Sequence, residues 1–223
     1  MTTPLRVLAR THWMGLGRST LAVFGMLVLM AACSSGPPPP VAQHPIAEKT
    51  QADRATKDVF FRTGRDSPIP ADKRAAFKGL SYYPVDSAYH VPGSLHQDRS
   101  GPPVVIELQT STHQVRRMER VGSLQFTLSG ATYKLSAFAG EDEGLSRLFV
   151  PFGDLTNRTD TYGGGRYLDL DRTATGLYDL DFNAAYNPYC VYNHTYECPI
   201  PPAENRLPIA IRAGERMPEG AEQ

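Results

Sequence analysis

The sequence predicts a mainly β protein, an antiparallel β-sandwich or barrel with a small N-terminal helical cap, and three observations carry that prediction. Past Leu80 the chain breaks into short β-prone runs separated by Gly, Pro and Asn. Within those runs apolar residues alternate with polar ones, as in Val104, Ile106 and Leu108 or Leu124, Phe126 and Leu128. Helical patterning is confined to residues 46–78. The expected count is roughly six to eight strands after two helices.

Taken in order, residues 46–62 read as a charged, alanine-bearing helix that docks through its last turn, where Val59, Phe60 and Phe61 lie. Ser67-Pro68-Ile69-Pro70 stops the chain, and residues 71–78 read as a short helix ended by Gly79. Residues 113–121, rich in arginine, are expected to form the strand before a hairpin centred on Ser129-Gly130-Ala131-Thr132. With Gly130 first in the turn, Leu128 pairs with Tyr133, Phe126 with Leu135 and Leu124 with Ala137, so both strands share one apolar face. Residues 148–152 supply another strand. A second hairpin is expected between residues 166–171 and 177–182, with Leu168, Leu170, Tyr178, Leu180 and Phe182 on its core face. Its opposite face then sets Asp169 across from Asp179, with Asp181 nearby.

The N-terminus reads as an address. Residues 1–18 carry three arginines and no acid, and residues 19–30 form an apolar stretch too short for a span of roughly 20 residues. Ala31 and Ala32 then precede Cys33, which resembles a bacterial lipobox with Met30 in place of the usual leucine. The expectation is a signal peptide over 1–32, lipidation (diacylglycerol and palmitate) at Cys33, and a periplasmic-facing anchor. Ser34 after the lipidated cysteine points to the outer membrane. The proline run Pro37–Pro40 makes 33–45 a semi-rigid tether, extended at about 3.1 Å per residue. A single β-rich domain over 46–217 and a tail over 218–223 complete the expected organisation.

Removal of the signal leaves 20 basic against 23 acidic side chains and no tryptophan, because Trp13 leaves with it. A mildly acidic domain lacks the basic stripe that nucleic acid needs, so no nucleic-acid partner is expected. With Cys33 acylated, Cys190 and Cys198 remain as an even pair in an oxidising compartment and read as a disulfide. The alternatives are two free thiols, or a zinc loop using Cys190, His194 and Cys198, for which no fourth ligand is apparent. No metal and no cofactor is expected.

The least generic strings lie toward the C-terminus: Tyr162-Gly163-Gly164-Gly165-Arg166-Tyr167-Leu168-Asp169, Ala185-Tyr186-Asn187-Pro188-Tyr189-Cys190, and Cys198-Pro199-Ile200-Pro201-Pro202 running on to Glu204-Asn205-Arg206-Leu207-Pro208. With Phe77-Lys78-Gly79-Leu80-Ser81-Tyr82-Tyr83-Pro84 upstream, they resemble domain-of-unknown-function family 1684 over residues 55–216. The resemblance implies no activity, substrate or catalytic residue.

The residues themselves say more. The glycine triplet permits a tight turn or a close backbone approach, and no Lys-Ser/Thr follows to make a phosphate loop. Arg166 falls on the core face, so it needs a buried partner (Asp154, Glu197 or Glu204) or else sits at the mouth of a pocket and binds an anion. Seven of the eleven tyrosines lie beyond residue 160. They either pack the proline-rich segment or, with Tyr162, Tyr167, Tyr186 and Tyr189 foremost, join Arg166 and His194 in a ligand site. Asp169, Asp179 and Asp181 form a solvated face, a calcium site or an acid–base pair.

Catalytic inventory is thin: four histidines after the tether, none in a paired-ligand spacing, and no Gly-x-Ser-x-Gly elbow. The leading expectation is therefore an envelope lipoprotein whose β domain binds a small ligand or a protein partner. The alternatives are a hydrolase of envelope carbohydrate or ester, and a purely structural protein.

Overall fold

A computed structural model describes residues 44–97, 104–140, 147–171 and 173–218. The signal, Cys33 and the proline tether lie outside the described residues. Helix α1 (His44–Thr63) leads into seven strands: β1 (His90–Gln97), β2 (Val104–Gln109), β3 (Val115–Leu128), β4 (Ala131–Gly140), β5 (Arg147–Phe152), β6 (Arg166–Asp171) and β7 (Leu177–Asp181). All ladders are antiparallel, in the order β6-β5-β4-β3-β1-β7, with β2 continuing the β1 edge along the first half of β3. The sheet curls into a nearly closed barrel, filled by Leu124 and Phe126 of β3, Leu135 of β4, Val150 of β5, Leu168 of β6 and Leu180 of β7, among others. The fold class is the one the alternation predicts. No helix among the described residues is long and apolar enough to cross a membrane.

Four local expectations need correction. The 113–121 and 124–128 runs are one strand, β3, broken only by a bulge between Arg120 and Gly122. The β3–β4 turn is Ser129-Gly130, pairing Leu128 with Ala131, Phe126 with Tyr133 and Leu124 with Leu135. Both turn residues have left-handed backbone (φ 51° and 80°), which matches the twist of the strands better than a turn one residue later. A two-residue slip keeps every side chain on its face, so the predicted apolar face survives.

The second hairpin does not form. β6 pairs with β5 from Phe152↔Arg166 to Arg147↔Asp171, and β7 pairs with β1 from His90↔Asp181 to Ser94↔Leu177. β6 and β7 therefore stand at the two ends of the sheet order, each with one partner strand, rather than beside each other. The core face is nonetheless the expected one: Leu168, Leu170, Tyr178, Leu180 and Phe182 are all buried together. The short helix over 71–78 shrinks to one 3₁₀ turn, Arg74–Ala76. A single turn has too few hydrogen bonds to nucleate, and the Arg74 Nε–H donates to the Ile69 carbonyl at 2.9 Å instead.

α1 docks through Phe61, which is fully buried against Phe77, Tyr189 and Tyr192. Val59 and Phe60 stay exposed. The helix has few other apolar residues, so the remaining contacts are charged: Lys57 Nζ meets Glu215 at 2.6 Å, and Arg54 donates to the Tyr83 and Asn183 carbonyls.

From Phe182 onward the chain wraps the barrel without regular strands, held by side chains that replace a ladder. Asn205, fully buried, donates to the Ser136 and Pro151 carbonyls and accepts from the Ser136 N–H. It thereby bridges β4 and β5, whose own pairing is reduced to Phe138↔Phe149. Gly165 shows why one glycine of the triplet is needed. Its φ is +91°, and a Cβ there would lie 2.6 Å from the Phe152 carbonyl oxygen.

Candidate functional site

Alternation along β6 sends Leu168 and Leu170 into the barrel and Tyr167 and Asp169 to its outside. The outer face is not left to water. The wrap crosses it, with a backbone bridge between Tyr167 and Tyr186 and the Tyr167 hydroxyl donating to the Pro199 carbonyl at 2.5 Å. Beside this crossing, β5 presents Arg147 and Phe149, and β3 presents Arg116 and Met118. Together they enclose an open cleft of about 530 Å³, within the usual size of small-molecule sites.

Its walls are aromatic: Phe149 packs on Tyr167 (centroids 4.7 Å apart), Tyr167 on Tyr186 (5.6 Å) and Tyr189 on Tyr196 (5.3 Å), all edge to face. Its rim is charged, with Lys57, Arg116, Arg147, Asp169 and Glu197. The Tyr186 hydroxyl donates to Asp169 Oδ2 at 2.9 Å, and Arg147 approaches the same oxygen at 3.7 Å. Lys57, besides its bond to Glu215, lies over the Tyr186 ring at 4.6 Å. Burial, reinforced by the Asp169 carboxylate, pushes the Tyr186 phenol well above its usual range, and burial does the same to Tyr167. These phenols therefore stay protonated at neutral pH, with their hydrogens given to Asp169 and to the Pro199 carbonyl.

Of the sequence-predicted residues, Tyr167, Tyr186, Tyr189 and Asp169 meet in this cleft, and Cys198 lines it. Arg166 does not. It is fully buried, with Nη2 on Asp154 at 2.8 Å and on the Ile211 carbonyl at 2.8 Å, while Nη1 bonds the Ala213 and Glu215 carbonyls. It ties the C-terminal wrap to the barrel. Tyr162 stands behind the cleft wall, its hydroxyl 3.9 Å from Cys190 Sγ. His194 is exposed on a loop outside the cleft lining.

The proposed Asp169–Asp179 juxtaposition falls with the second hairpin. Asp179 pairs with His90 at 3.0 Å, and Asp181 accepts from the backbone and side chain of Asn183. Among the described residues no three His, Cys, Asp or Glu side chains gather as a metal site. Cys190 and Cys198 are both buried as free thiols, the Cys190 N–H donating to Cys198 Sγ at 3.1 Å.

The sequence gives no ligand-site role to the cleft residues Lys57, Arg116, Met118, Arg147 and Phe149, and it offers Glu197 only as a partner for Arg166. Only the β5–β6 pairing brings Arg147 beside Asp169, so its position was invisible without the sheet order.

A family model described as "Protein of unknown function (DUF1684)" matches residues 75–216. The solution NMR structure of an uncharacterised protein of Haloarcula marismortui is similar to this chain at 39% identity with a TM-score of 0.61. The match covers 78% of this chain and 95% of that one. Among curated proteins nothing matches.

Proposed function

Because the chain belongs to the DUF1684 family, whose description carries no activity, we propose its function from the cleft itself: it is a binding site for a sugar unit bearing a carboxylate. The observation that carries this reading is the combination of tyrosines packed edge to face with a rim of both charges in one open cleft. Aromatic walls cover the C–H faces of a sugar ring at low entropic cost. Asp169 and Glu197 accept from hydroxyls. Arg147 and Arg116 stand on the same cleft and supply charge-assisted donors for a carboxylate.

The domain works at the end of a lipid anchor. Cys33 after Ala31-Ala32, followed by Ser34 and the proline run, supports attachment to the periplasmic face of the outer membrane, where the cleft meets an envelope glycan. Titration with glucuronate, read by the amide and ring resonances of Tyr186 and Tyr189, tests the cleft reading. Saturable shifts at these residues support it, and their absence with the protein folded overturns it.

A further inference from the structure

The cysteines pose a question that the cleft reading does not absorb. Cys190 ends the tyrosine string on one side of the cleft wall, and Cys198 lines the cleft itself. Between them, residues 191–197 carry Tyr196 and Glu197, two further lining residues. The segment is anchored at both ends. The Tyr192 hydroxyl donates to the buried Glu215, and Cys198 exchanges bonds with Ser111 through its N–H and its carbonyl. The surrounding packing thus holds the Cys190 N–H against Cys198 Sγ at 3.1 Å, with the two side chains in hydrogen-bonding reach.

We propose that Cys190 and Cys198 form a redox-active dithiol in the cleft wall that closes to a disulfide by exchange with a small-molecule disulfide entering the cleft. The Cys190 thiol is lowered to about 7 because the Cys198 thiol hydrogen-bonds its thiolate, and Cys198 is raised for the same reason. Near neutral pH the pair accordingly shares one proton. Cys198, the sulfur on the cleft side, passes its proton to Cys190 and attacks the incoming disulfide, forming a mixed disulfide and releasing one thiolate. Cys190 then gives up that proton to the released thiolate and attacks Cys198 Sγ, and the second sulfur leaves as a thiolate. The thiol and thiolate of the pair become a disulfide, the external disulfide becomes one thiol and one thiolate, and no other reactant is consumed. The chemistry does not depend on what the cleft binds.

The test uses the folded full-length protein and oxidised glutathione. Trypsin cuts after Arg172 and Arg206, so one peptide, residues 173–206, holds both cysteines and no third. The expected result is a peptide lighter by two hydrogens that takes up no alkylating label until it is reduced. In the Cys190→Ser variant Cys198 is expected to retain one glutathione, the trapped mixed disulfide. A peptide that keeps two alkylatable thiols, or one that carries two glutathiones, overturns the proposal. So does a folded Cys190→Ser protein that takes no glutathione on Cys198.

Discussion

Arg166 and Asp154 meet at 2.8 Å with both side chains wholly out of water. Nη1 and Nη2 also donate to the Ile211, Ala213 and Glu215 carbonyls, so one side chain fastens strand β6, the loop after β5 and the C-terminal wrap. A buried pair of this kind is costly to break because the surviving partner keeps its charge without compensation.

Arg166→Ala is therefore expected to lower stability by about 3–5 kcal/mol, measured by urea unfolding. Arg166→Lys is expected to restore little of it, since an ammonium cannot span the carbonyls and the carboxylate that the planar fork reaches. Stability of the lysine variant close to the parent's would show that the wrap is held elsewhere.

Asn205→Ala removes the amide that joins Ser136 of β4 to Pro151 of β5. Three buried hydrogen bonds are lost and their backbone partners are stranded, for an expected cost of about 2–4 kcal/mol. Hydrogen exchange at the Ser136 amide checks the mechanism: it should lose protection more than amides of the β3–β4 turn.

Alkali should loosen the fold. Burial and the Asp160 carboxylate raise Tyr83 from 10.0 to about 12, and burial with Cys190 raises Tyr162 to about 12. The folded state binds these protons more tightly than the unfolded chain. Their contribution is full below pH 10 and is lost as pH rises toward 12. The urea midpoint should fall across that interval, while tyrosine ultraviolet absorbance reports ionisation of these two side chains later than that of free phenols, which titrate at about 10. Ionisation of every tyrosine near the free value, with no loss of stability, would contradict the burial.

The proposed anchor rests on Cys33 alone. Growth with a fatty-acid analogue should label the native protein and leave the Cys33→Ala variant unlabelled. Equal labelling of both would remove the anchor.

How much of this was legible in the sequence varies by residue. Leu124, Phe126 and Leu128 announced their buried face because alternation is a local property, and even a two-residue error in register left that face intact. Arg166 was readable as a buried cation, with Asp154 among its three expected partners, from its core-facing phase alone. Asp169 was not. Its neighbours, Arg147 on β5 and Tyr186 on the wrap, arrive through pairings that skip along the chain, whereas the short 172–176 connection suggested Asp179. The wrap itself has no periodicity to read, so the walls it brings to the cleft, Tyr189, Tyr196 and Pro199, could be counted but not placed. Asn205 mattered for a reason composition cannot show, since its amide stands in for strand pairing.

The central claim, that this cleft takes a carboxylate-bearing sugar, is tested most directly by comparing glucuronate with glucose, which differ at one carbon. Binding by isothermal titration should favour glucuronate by about tenfold or more, the worth of one charge-assisted contact. In the Arg147→Ala variant that preference should shrink severalfold while glucose binding stays near its original strength. Equal affinity for the two sugars, or a preference untouched in Arg147→Ala and Arg116→Ala alike, would contradict the account.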